Sequence, residues 1–164
     1  MYKAFEKNCD YVRTPDKGDF LLACADTFIA AQNCVVAAES LGLGSCYIGD
    51  ITEYFEAHRE LLSLPQYVVP VCMLVIGYPK ESQLERKKPR RFSLDDIVYK
   101  DSYDVKKAEE MERMLRERQN IDSEEELSLW IKKFCERKFN SDFSVEMSRS
   151  VKAMLSTFPG EDKV

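Results

Sequence analysis

The chain has one histidine, His58, and none of its six cysteines stands in C-x-x-C spacing. A structural zinc site needs about four thiolate or imidazole ligands in short repeated spacings, so none is expected. Long apolar runs are also scarce. The longest, Tyr67–Ile76, is too short to cross a bilayer and contains Pro70. The N-terminus, MYKAFEKNCDYVRTPDKGDF, is charged and mixed and has no apolar h-region, so a cytoplasmic chain with no membrane partner is expected. No internal repeat or low-complexity segment is visible. Net charge is −5, which argues against nucleic acid as the main partner.

What is present suits one soluble globular domain: 164 residues, 45% hydrophobic and 32% charged. Cys9, Cys24, Cys34, Cys46, Cys72 and Cys135 mostly lie in apolar runs. They read as reduced, small core residues.

The chain is organised around DTFIAAQNCVVAAESLGLGSCYIGDI, Asp26–Ile51. Asp26 and Thr27 can cap a helix there. Phe28, Ile29, Val35, Val36 and Leu41 supply bulk, and Ala30, Ala31, Ala37 and Ala38 make thin faces. Such a helix is expected to be buried. Within it, Gln32 and Asn33 are expected to bond across a helix interface. Gly42 and Gly44 end the helix, and Ser45–Ile48 reads as a short strand. Gly49 follows, where another group can approach the backbone.

Residues 1–20 read as irregular, with turn signals at Pro15, Asp16 and Gly18. Asp50 with Glu53 has capping-box spacing before a helix over about Glu53–Leu62. On that helix the lone His58 reads as a satisfied boundary residue. Val68–Ile76 predicts a central strand covered on both faces. A polar loop then carries ERKKPRR, and Ile97-Val98-Tyr99 reads as extended. Composition shifts at Asp101 to charged amphipathic helices. Val105, Ala108, Met111 and Leu115 recur at helical spacing. Ser123 and Glu126 form a second capping-box pattern, and a last helix starts near Ser144. Pro159 and Gly160 predict a frayed end.

Read from spacing alone, the glycine segment is either a wall for a flat ring or a plain helix exit and turn. ERKKPRR is either a phosphate clamp or a solvated loop. AAQNCVVAAESLGLGSCYIGDI followed by LPQYVVPVCMLVIGYP resembles the second half of an FMN-dependent nitroreductase of the NADPH-flavin/nitro-reductase type, over about Asp26–Tyr103. KFNSDFSVEMSRSV resembles the C-terminal extension of some bacterial members.

The resemblance implies an α+β fold, with a central helix on a mixed, incomplete β-sheet. It divides the chain into a partial FMN-binding core, 1–103, and a helical extension, 104–164, packing on the core or the dimer. It implies FMN as cofactor and NAD(P)H as reductant. Nitroaromatics, quinones or flavins are the implied small-molecule acceptors, and a homodimer is formed through the central helix. Tyr47, Ile48 and Gly49 would lie against the flavin ring. Asp50 stands where one subgroup has a second glycine, and its backbone amide can still serve. Lys88 and Arg90 match the family's Lys-Pro-Arg phosphate clamp, and counting back from Ile97-Val98 brings in Arg91. No catalytic side chain or metal is implied, because hydride transfer needs position and electrostatics rather than an acid or base. The family's first half has no counterpart in the short stretch before Asp26. The alternative expectation is therefore a truncated, non-catalytic dimeric remnant that no longer binds flavin.

Overall fold

The apolar helix begins at Lys17, well before Asp26, because a stronger N-terminal signal stands there. Asp16 caps it, accepting from Lys17 N at 2.7 Å, while Asp19 accepts from Asp16 N at 2.9 Å. Asp26 and Thr27 lie inside the helix, where Thr27 Oγ1 turns back to donate to Ala23 O. The structure is a computed structural model and describes residues 1–161. The chain divides into two compact units, Met1–Lys80 with the chain from Asp142 onward, and Glu81–Ser141. The composition shift at Asp101 therefore does not coincide with a boundary between units.

In the first unit the order is α1 (Tyr2–Asn8), α2 (Lys17–Ser40), β1 (Gly44–Tyr47), a 3₁₀ turn (Gly49–Thr52), α3 (Phe55–Leu61), β2 (Leu74–Gly77) and α8 (Asp142–Ser156). Residues 1–20, expected to be irregular, thus contain α1 and the start of α2. Gly42, at φ +74°, makes the left-handed exit from α2. β1 and β2 pair antiparallel, with Gly44 opposite Gly77 and Tyr47 opposite Leu74. Beyond that pair, Ile48 N donates to Met73 O at 3.0 Å.

Three burial expectations are corrected. Val68–Met73 is outside β2, and Val75 and Ile76 are exposed. Pro70 offers no N–H, and among the described residues only β1 is there to pair. Of the residues of α2, only Ala38 is buried. No cysteine is buried either, although all six are free. Gln32 and Asn33 are exposed. In each case composition demands cover that the chain's own elements do not supply. By length and hydropathy α2 also meets the requirement for a membrane span.

The core of the first unit forms under α8. Met154 is 1% exposed and Ser150 0%, and Ile51, Phe55 and Phe158 are buried with them. Glu146, Arg149 and Ser150 lie at i, i+3 and i+4, on one face. Arg149 donates to Glu56 at 2.8 and 2.7 Å and to Glu146 at 2.8 Å. Glu146 Oε1 accepts from Tyr54 N, and Ser150 Oγ accepts from Phe55 N, each at 3.0 Å. The expected Asp50–Glu53 box does not form, because α8 caps α3 from the far end of the sequence instead.

Pro159 and Gly160, expected to open a frayed end, lie in a stretch that is held as far as Glu161, and residues 162–164 fall outside the described residues. Phe158 packs edge-on against Phe20, Gly160 N donates to Pro15 O, and Glu161 accepts from Thr14 N and Tyr11 Oη. Gly160 is required there. Its φ is +70°, and a Cβ would stand 2.5 Å from Asp16 Cγ.

The second unit holds two short helices, α4 (Glu81–Leu84) and α5 (Leu94–Ile97), and the longer α6 (Ala108–Gln119) and α7 (Glu124–Lys138). Ile97, expected in an extended segment, closes α5, and the chain is extended only from Val98. Asn120, left-handed at φ +56°, ends α6, and Ile121 and Leu127 are buried. Ser123 Oγ accepts from Glu126 N, as its spacing predicts. The Asp96 carboxylate is buried but satisfied, by Ser93 at 2.8 Å and Arg113 at 2.7 Å. These two bonds, Ser93's first, hold its pKa below the usual range.

Two consequences can be measured. Phe158→Ala should cost about 3 kcal/mol of stability in a urea titration, the range for emptying a buried aromatic site. A loss under about 1 kcal/mol would mean that Phe158 is not core. Arg149 holds the carboxyls of Glu56 and Glu146 at about 2, against an ordinary 4.5. Their contribution is complete above pH 4.5 and is lost as pH falls toward 2. Glu56→Gln should therefore flatten the acid limb of the urea midpoint against pH, and an unchanged limb would contradict the pairing.

Candidate functional site

β1 delivers its last residues into the 3₁₀ turn, so Tyr47, Ile48, Gly49 and Asp50 follow one another across a strand-to-turn junction in the first unit. Tyr47 is exposed, and its hydroxyl donates to Gln32 Oε1 of α2 at 3.3 Å. This is the bond that Gln32 makes within the chain. Partial loss of solvent raises the Tyr47 phenol above its ordinary value. The N–H of Ile48 is spent on Met73 O.

Gly49 and Asp50 differ. A 3₁₀ turn bonds residue i to i−3, so the first two amides of the turn have no intrahelical partner. A Cβ built on Gly49 would meet nothing within 4 Å. Their carbonyls, in contrast, are held: Thr52 Oγ1 donates to Gly49 O at 2.8 Å and Glu53 N to Asp50 O at 3.0 Å. The turn is thus fixed on its acceptor side and open on its donor side. That arrangement fits the edge of a flat heteroaromatic ring bearing acceptor atoms. The carboxylate of Asp50 is exposed and caps no helix, contrary to expectation.

The three candidate cations lie in the second unit, on the loop between α4 and α5, and all are exposed. Arg90 Nη1 donates to Glu117 O, in the last turn of α6, at 3.3 Å. Among the described residues, Lys88 and Arg91 make no ion pair or hydrogen bond. Such groups can hold a phosphate by charge-assisted bonds. His58 stands at the boundary as expected, but its Nδ1 is shielded and has no partner. Among the described residues no cluster of three or more His, Cys, Asp or Glu could hold a metal. Sequence reasoning missed Glu146, Arg149 and Ser150. Their signal is three polar groups at i, i+3 and i+4 on a helix whose buried residues otherwise include Met154.

Residues 5–78 match the model of the Nitroreductase family. Among curated relatives, a CR(VI) reductase from Pseudomonas sp. (strain G-1) is 34% identical over 134 residues, covering 79% of this chain and 51% of that protein. An FMN reductase (NADPH) from Bacillus subtilis is 38% identical over 86 residues, covering 52% of this chain and 33% of that protein. The chain thus spans about half or less of the length of these two relatives. Nitroreductase A from Vibrio parahaemolyticus superposes with a TM-score of 0.61 at 28% identity, covering 72% of this chain and 49% of that one. The α+β fold expected from the sequence is the fold of these structures.

Gly49→Ala should leave folding stability within about 0.5 kcal/mol of wild type, because the added methyl meets nothing. A loss above about 1 kcal/mol in urea would show that the turn is packed rather than open.

Proposed function

We propose that this chain is the FMN-binding part of a nitroreductase-type flavoprotein oxidoreductase. NAD(P)H is the reductant, and the acceptor is a small molecule, a nitroaromatic, quinone or flavin. The observation that carries the reading is the open donor side of the Gly49–Asp50 turn, within a segment that matches the family model. The similarity to the Bacillus subtilis FMN reductase (NADPH) supports it.

FMN, when bound, supplies the ring that accepts a hydride from the nicotinamide and passes electrons on. The chain's own residues orient and neutralise. Gly49 leaves room for the ring, and Tyr47 and Ile48 back it. The N–H groups of Gly49 and Asp50 donate to its acceptor atoms. Lys88 with Arg90, or Arg91, holds the phosphate. No side-chain acid or base is assigned.

The division into a core, 1–103, and a helical extension, 104–164, belongs to this reading. So does a cytoplasmic homodimer formed through α2. Leu21, Leu22, Phe28, Ile29 and Val36 form an exposed apolar surface there that a second copy would cover. Partner contact accounts for the hydropathy of α2 without a membrane.

The second reading, a dimeric remnant without flavin, draws on one observation. The uncapped Asp50 carboxylate places a negative charge beside the open amides, where an anionic ring would be repelled.

The two separate in one experiment. Purified chain is incubated with excess FMN, desalted, and its visible spectrum recorded. The flavin reading expects a retained flavin band that NADPH bleaches. It also expects FMN affinity to fall about tenfold or more in Lys88→Ala/Arg90→Ala, as loss of charge-assisted phosphate bonds implies. A colourless chain would overturn it in favour of the remnant.

A further inference from the structure

We propose that α8 sets the conformation of the candidate flavin-binding turn, with Ser150 and Glu146 as positioning residues acting through the backbone of Tyr54 and Phe55. The inference rests on the flavin reading of that turn and deepens it, because it assigns control of the site to the last helix of the chain.

The geometry starts at Tyr54. Its backbone is left-handed, φ +45° and ψ +47°, a region that an aromatic residue rarely enters. The ring does not hold it there, being 60% exposed. Two successive amide bonds do. Tyr54 N is taken by Glu146 Oε1 and Phe55 N by Ser150 Oγ, each at 3.0 Å. Ser150 uses its hydroxyl proton on Glu146 Oε1 at 3.1 Å, so this fully buried group is satisfied as donor and as acceptor. Arg149 keeps Glu146 in place and ties it to Glu56. Strain of this kind persists only where its surroundings enforce it.

From Tyr54 the constraint runs directly into the turn. Glu53 is extended and its N–H closes on Asp50 O, Thr52 Oγ1 closes on Gly49 O, and Ile51 is buried beneath. α8 packs against both α3 and the turn. Upstream, the Ile48–Met73 bond anchors the other end. The amides of Gly49 and Asp50 are therefore held between a strand and α8. With the α8 anchor removed, Tyr54 relaxes out of the left-handed region and Glu53 to Asp50 move with it.

The test uses the whole chain with Ser150→Ala, and with Glu146→Ala at a site whose side chain is 20% exposed, as a second probe should Ser150→Ala fail to fold. Amide hydrogen exchange is read without flavin, and FMN affinity by fluorescence quenching. Either variant should speed exchange of the bonded amides of residues 51–55 about tenfold, leaving α7 unchanged, and weaken FMN about tenfold, the scale of one lost buried hydrogen bond. Glu146→Gln keeps an acceptor for Tyr54 N and should stay within about threefold of wild type. Adding Tyr54→Gly to Ser150→Ala should restore most of both losses, because glycine is left-handed without help. Exchange unchanged in 51–55, exchange raised evenly over the first unit, or no rescue by Tyr54→Gly would each overturn the positioning role. A wild-type chain that binds no FMN would overturn the flavin reading alone, and the exchange pattern would still decide whether α8 positions the turn.

Discussion

The first unit depends on a single guanidinium. Arg149 sits between Glu56 and Glu146, and the same carboxylate caps the backbone at Tyr54. An exposed ion pair alone contributes little. This one differs because one of its partners also accepts from a backbone amide and from a buried hydroxyl. The cluster joins residues from two ends of the sequence, so the 3₁₀ turn and α3 keep their arrangement only while α8 is docked. Met154 in α8 and Phe158 just beyond it then place apolar contacts of the unit, and Glu161 and Gly160 fasten the following chain to the residues before α2.

The opposite condition holds at α2. It is the longest helix and the most apolar stretch, yet its residues are almost all exposed in the chain by itself. The two-stranded sheet beside it leaves strand edges unpaired, surfaces that ordinarily attract further strands. Both features leave apolar surface and strand edges that the described residues do not cover. They explain why composition reads α2 as a core helix while the isolated chain shows it as a surface.

Much of this was legible in the sequence. The glycine punctuation around Gly42–Gly49 located β1 to within one residue. Ser123 with Glu126 marked the start of α7, because a cap is a local interaction written in adjacent residues. The Tyr47–Asp50 segment and the basic loop were found from the family resemblance rather than from spacing. The failures share a cause. Asp26 and Asp50 have the chemistry of caps, but Asp16 is better placed for α2 and the caps of α3 lie on α8. Burial of α2, of Val68–Ile76 and of the cysteines depends on what packs against them, and no local pattern states that. Pro159 and Gly160 look like a loose terminus until Pro15 and Asp16 are folded against Gly160.

The central claim is that the open amides of Gly49 and Asp50 receive the edge of a flavin ring. The most direct measurement is a two-dimensional nitrogen-15 NMR titration of the whole chain with FMN. The expected result is that the amide signals of Gly49 and Asp50 move most, while Ile48, whose N–H is already committed to Met73, moves less. Saturable shifts confined to other residues, or no shifts at all, would contradict it.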